Sequence, residues 1–257
     1  MLGRLFLVFM LFSCSSCSSQ ENMGLIKNWH SYPVQTKDDS IVKYNYSPKE
    51  WTVSIKNGEV FVAEKKENGT IGNLPFKVQV NEEDKINAIG DVCYLKVDDG
   101  FLVGFNRGEW GGSLYWFATD GKKHYKISND EVVQFIQRDS HNYAIQGLYH
   151  MGLSEGSIIS IEKKNGKWKA SSYLALPKAP EAITLDNLGN FYIATSNSIL
   201  KIDKIPQKYT LIEDGIWAYG LYVNSIVAKD DVLYIGMHGG VYKYDVKDGK
   251  QAWLLNY

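Results

Sequence analysis

Apolar and polar residues alternate along the chain in short runs, and the runs come in pairs joined by turn residues. Glu59-Val60-Phe61-Val62-Ala63 and Phe101-Leu102-Val103-Gly104-Phe105 are typical. Such runs mark strands with one or both faces buried. Beyond the N-terminal leader no stretch keeps an i, i+3, i+4, i+7 apolar pattern for twelve residues, so no long helix is predicted. Residues 81–88 suit one helical turn at most. Ser128-Asn129-Asp130-Glu131 has the spacing of a helix capping box. The β-branched run Val132-Val133-Gln134-Phe135-Ile136 that follows it favours a strand instead.

Seven Asn-Gly or Asp-Gly pairs punctuate the runs, at 57–58, 68–69, 99–100, 120–121, 165–166, 214–215 and 248–249. These dipeptides supply the positive φ angles of tight hairpin turns. The hairpins also recur. The first large residues after the strongest turns are Val60, Phe101, Tyr143, Phe191 and Leu233, separated by 41, 42, 48 and 42 residues. Each of the five units holds a second hairpin, with its turn near Gly69, Gly121, Gly166, Pro206 or Gly249. One unit is therefore four strands, A to D, and a four-stranded unit of about 42 residues is the size of a propeller blade. The expected fold is an all-β propeller of about five four-stranded blades. The alternatives are six blades or a large β-sandwich. Residues 24–50 are expected to add a strand that closes the ring or to cap one face.

Composition adds an address. The first twenty residues are MLGRLFLVFMLFSCSSCSSQ, in which Arg4 precedes an apolar run over residues 5–12. Eight residues rise about 12 Å as a helix, short of a ~30 Å hydrocarbon core, so the run reads as a signal-peptide core. Leu11-Phe12-Ser13-Cys14 resembles a bacterial lipobox. The resemblance implies removal of residues 1–13, a diacylated Cys14 as the new N-terminus, and membrane anchoring in the cell envelope, periplasmic or surface-facing. Cys17 is the alternative lipidation site. Residues 14–23 then form a flexible tether, and residues 24–257 a single propeller domain. Cys93 has no partner cysteine beyond the leader and reads as a small buried hydrophobe. The charge, 28 basic against 29 acidic residues, argues against a nucleic-acid partner. A monomer is expected.

One unit carries a resemblance. Pro180-Glu181-Ala182-Ile183-Thr184-Leu185-Asp186-Asn187-Leu188-Gly189-Asn190-Phe191-Tyr192-Ile193-Ala194 resembles a blade of NHL-type and gluconolactonase-like propellers, whose pattern sets Asp-x-x-Gly-Asn at a turn before Tyr-φ-Ala. The match runs over residues 180–203. In it Asp186 caps the turn, Gly189 takes a positive φ, and Tyr192 and Ala194 pack against the next blade.

In a propeller the B–C and D–A connections share one face, around the mouth of the central channel. The richest residues of this chain fall there, and a ligand-binding set follows: Arg107, Glu109, Trp110, Tyr149, His150, Trp217, Tyr219 and His238. Aromatic, guanidinium and imidazole groups interleaved with glycine suit a binding surface. The plainer alternatives are packing between blades for Trp110 and Trp217 and a surface ion pair for Arg107 and Glu109. GxSxG, HExxH and Walker motifs are all missing, so no catalytic residue, metal site or cofactor is assigned. The functional expectation is an envelope-tethered, non-enzymatic binding or scaffold module for a protein, peptide or glycan. The alternative is a metal-dependent lactonase or hydrolase of the gluconolactonase-like kind. Glu50 precedes the first unit, but nothing in the sequence fixes it as a metal ligand.

Overall fold

The computed structural model describes residues 24–34, 47–65, 73–78, 90–205, 208–217 and 221–256. The leader with Cys14 and Cys17, the stretch 81–88, Gly69, Pro206 and Tyr219 lie outside these. Five antiparallel sheets follow one another along the chain. Blade 1 is built on β3 (Trp51–Lys56) and β4 (Glu59–Glu64), and blade 2 on β5 (Asp91–Val97), β6 (Gly100–Asn106), β7 (Gly112–Ala118) and β8 (His124–Ser128). Blade 3 is β9 (Val132–Arg138), β10 (His141–His150), β11 (Leu153–Lys164) and β12 (Lys167–Leu176). Blade 4 is β13 (Pro180–Leu185), β14 (Phe191–Thr195), β15 (Ser198–Ile202) and β16 (Tyr209–Asp214). Blade 5 is β17 (Ser225–Lys229), β18 (Val232–Met237), β19 (Gly240–Asp245) and β20 (Gln251–Leu255). No α-helix occurs among the described residues. Residues 128–131 lead directly into strand β9, as the β-branched run requires.

The first strand of each unit is the innermost. β5 touches β9, β9 touches β13, β13 touches β17 and β17 touches β3. The fold is thus a five-bladed all-β propeller. The A–B and C–D turns lie on what is here called the lower face, and the B–C and D–A connections lie on the upper. Asn57-Gly58 and Asn165-Gly166 take paired positive φ angles, as two-residue hairpin turns demand. Asp214-Gly215 does not close a hairpin but ends β16 in a D–A connection.

The blades meet through apolar layers. Leu102 and Leu114 of blade 2 pack on Phe135 and Ile159 of blade 3, and Ile145 and Ile158 pack on Ile183 and Ile193 of blade 4. Tyr192 and Ala194 pack on Leu233 and Ile235 of blade 5, as the blade 4 pattern implies. Cys93 lies half-buried beside the blade 2–3 layer.

The N-terminal segment closes the ring. β1 (Gly24–Leu25) pairs with β4, and β2 (His30–Tyr32) pairs with the outer edge of β20. Between them Ile26 packs with Val53 and Val62 of blade 1 and with Val227 and Val241 of blade 5, while Trp29 meets Trp51 edge-on at 4.8 Å. The strand expected from residues 24–50 is therefore split between the first and last blades. The place beside β4, expected for the strand following it, is held by β1. Leu74 and Phe76 instead cover Phe101, Val103 and Phe117 on the face of blade 2 turned away from blade 3.

Candidate functional site

The upper face gathers part of the set drawn from the sequence. Between β6 and β7 the chain makes a 3-10 turn at Gly108–Trp110. Asn106 Oδ1 accepts the Gly108 N–H at 2.8 Å, and the Arg107 N–H closes the loop on the Gly111 carbonyl at 3.0 Å. Positive φ angles at Gly108 and Gly111 turn the loop outward and leave Trp110 72% exposed. Glu109 Oε2 meets His150 Nε2 of blade 3 at 2.7 Å, both side chains half-exposed. Two side chains from different blades, both expected at the site, thus form one polar pair beside an open indole.

His150 ends β10, and the connection expected there as an irregular loop is a regular hairpin. β9 accompanies β10 only as far as Gln146, and β12 accompanies β11 only as far as Gly156. Beyond these, Leu148, Tyr149 and His150 pair only with Glu155, Ser154 and Leu153, a projection of roughly 10 Å. A Cβ on Gly156 would lie 2.3 Å from Pro180 Cδ, so glycine lets the start of β13 cross the hairpin base. Alternation then separates two expected neighbours. His150 faces blade 2, whereas Tyr149 and Ser154 share the opposite flank, where Ser154 Oγ accepts the Ala179 N–H of blade 4 at 2.8 Å.

Trp217 does not join the surface set. It is 4% exposed, its Nε1–H donates to the Ser196 carbonyl at 2.6 Å, and it packs edge-on to Tyr242 at 5.2 Å. The packing alternative describes it, because the apolar layer between blades 4 and 5 needs a large ring there.

His238 belongs to a second cluster, at the seam between blades 5 and 1. Its Nε2 lies 2.8 Å from Glu50 Oε1. Glu50 Oε2 accepts from Lys65 Nζ at 2.8 Å and Asn224 Nδ2 at 3.4 Å. Tyr222, 64% exposed with φ +47°, sets its ring 4.9 Å from the imidazole. Burial by itself would raise the Glu50 carboxyl, but hydrogen bonds from Lys65 and His238 outweigh it and hold the group below the usual carboxylate range. Both oxygens are thereby occupied by protein partners, a poor fit to a cation site. Among the described residues no three His, Cys, Asp or Glu side chains converge to hold a metal ion.

Sequence reading passed over a related regularity. The inner strands begin at or beside Glu50, Asp91, Glu131, Glu181 and Asn224, so an acid or amide stands at the upper end of each. Burial pushes the Glu181 carboxyl up to about 7, with the Lys65 charge offsetting part of the rise. Burial also raises Glu131. The signal was an acidic or amide residue at the start of each repeat, hidden while the turns alone set the repeat frame.

No protein-family model matches the chain, and no curated protein matches it. Among solved structures, one extracellular domain of a hybrid two-component system of B. thetaiotaomicron aligns at TM-score 0.49 and 16% identity, over 68% of this chain and 22% of that one. A nidogen/laminin complex aligns at 0.46 and 11%, over 66% and 65%. An extracellular domain of a one-component system of B. thetaiotaomicron aligns at 0.44 and 12%, over 87% and 29%. The chain spans less than two thirds of each of these chains. No helix among the described residues is long and apolar enough to cross a membrane.

Proposed function

We propose that this protein is a bacterial envelope lipoprotein, anchored through Cys14 and a tether over residues 14–23, whose propeller is a non-enzymatic binding module. Its ligand sits on the upper face, against Arg107, Glu109, Trp110, Tyr149 and His150 on the blade 2–3 side, with His238 at the blade 5 end; Tyr219, also expected in the set, lies outside the described residues. The observation that carries this reading is the Glu109–His150 pair beside the 72% exposed Trp110. An exposed indole next to a polar pair gives apolar area and directional hydrogen bonds together, the mixture found at binding hot spots. The Asp186 turn supports kinship with NHL-type blades: Asp186 Oδ1 accepts the N–H groups of Leu188 and Asn190 at 2.9 and 2.8 Å.

The lactonase alternative needs a cation site, to which the sequence assigns no residue; Glu50, the acid that precedes the first unit, is engaged by Lys65 and His238. The test of the binding reading is affinity capture of the tagged, lipidated protein from its own envelope, repeated with Trp110→Ala and with the lower-face changes Asn165→Ala and Asp248→Ala. Loss with Trp110→Ala alone supports the upper face. Loss with the lower-face variants while Trp110→Ala binds normally overturns it.

A further inference from the structure

The free end of the β10–β11 hairpin projects from the sheet as a convex tip. Its turn residues Met151 and Gly152 take φ +48° and +87°, and it is braced on one flank by the Glu109–His150 pair and on the other by the hydrogen bond to Ser154 Oγ. What it offers is apolar: Met151 is 92% and Leu153 51% exposed, with Leu148 and His150 on the same flank as Leu153. A small ligand needs a concave site that surrounds it, and a two-stranded projection provides none. Met151, Trp110 and Tyr149, all exposed here, are of residue types enriched in protein interfaces. An acidic group stands beside the tip. Glu155 lies two residues from Leu153 on that flank, is exposed, and forms no ion pair among the described residues. Glu109 stands across from it on blade 2.

From this geometry we infer that the hairpin is a preformed docking finger: Met151 and Leu153, flanked by Trp110, enter an apolar pocket of a partner protein whose rim carries a lysine or arginine facing Glu155. The inference rests on the binding reading above and names its partner class. Because the finger is already folded and braced, docking orders few side chains and loses little conformational entropy.

The test places the photo-cross-linker p-benzoylphenylalanine at Met151, and separately at Asn165 on the lower face, in the full chain in its own envelope. A discrete protein adduct from position 151 and none from 165 is expected. That protein, purified, should bind the wild type and lose at least tenfold in affinity with Met151→Asp, recover with Met151→Leu, and weaken with Glu155→Lys. The melting temperature reports whether each variant is folded. Adducts to lipid alone, adducts to a second copy of this chain, or no adduct overturn the finger. So does a partner indifferent to Met151→Asp. If that partner still depends on Trp110, the binding reading survives and only the finger fails. If it is held by the lower face instead, both fall.

Discussion

The guanidinium of Arg138 lies 4.1 Å from the centre of the Phe191 ring. Arg138 ends β9 of blade 3 and Phe191 opens β14 of blade 4, so the contact ties two blades on the lower face. The Tyr143 ring stands 5.0 Å away. Nη2 donates to the Tyr173 hydroxyl at 2.6 Å and Nη1 to the Gly189 carbonyl at 3.4 Å. A buried cation survives there because aromatic faces and acceptors surround it.

Arg138→Met should therefore destabilise the domain by about 2 kcal/mol, since it removes hydrogen bonds and ring contacts at a buried site. Arg138→Lys should recover only part of this, for lack of the planar fork. Chemical denaturation of the two variants against the wild type checks both.

Asp99 predicts acid sensitivity. One of its oxygens accepts from Trp116 Nε1 at 3.1 Å and Trp168 Nε1 at 3.0 Å, joining blades 2 and 3, and the other faces Lys163 at 2.7 Å. Partial burial opposes ionisation, but these partners prevail and hold the carboxyl down to about 2. A depressed carboxylate stabilises the fold above its ordinary value near 4 and ceases to do so as pH falls through about 2. Thermal unfolding between pH 5 and 2 should show a smaller acid-induced fall for Asp99→Asn than for the wild type.

Glu181 predicts the opposite sign. Its carboxyl, raised to about 7, costs the fold nothing below its unfolded value near 4.5 and opposes folding increasingly as pH rises through 7. Glu181→Gln should match the wild type in melting temperature at pH 4 and exceed it at pH 8. Equal melting temperatures at pH 8 would show that the carboxylate is solvated in the native state.

The leader predicts processing. Intact-mass analysis of the membrane fraction should show loss of residues 1–13 and gain of a diacylglycerol at Cys14. Cys14→Ala should leave the precursor uncleaved, and a processed product still anchored through Cys17 would move the site there.

Much of the fold was legible before any tertiary contact, because its signals are local. A hairpin turn needs only the two residues that take positive φ, a strand only its alternation, and the Asp186 turn only four neighbours in sequence. Repetition of these signals at near-constant intervals implied a ring, since one blade cannot bury both its faces. The place of Trp110 on a glycine-punctuated connection was legible for the same reason, but whether its ring lay open or packed between blades was not.

Long-range pairing was decided by the ring itself. Glu50 and His238 stand 188 positions apart and meet only because the last blade returns to the first. β1 fills the place beside β4 because the same closure brings the N-terminal segment there. Trp217 and Trp110 look alike in sequence, each in a glycine-marked connection, yet the apolar layer between blades 4 and 5 draws in Trp217 while Trp110 stays 72% exposed among the described residues. Tyr149 and His150 are adjacent in the chain, but once their connection folds as a strand the two-residue period sends them to opposite flanks. Whether a side chain faces solvent or core depended on which neighbouring blade offered apolar area, a quantity that exists only after the blades have packed.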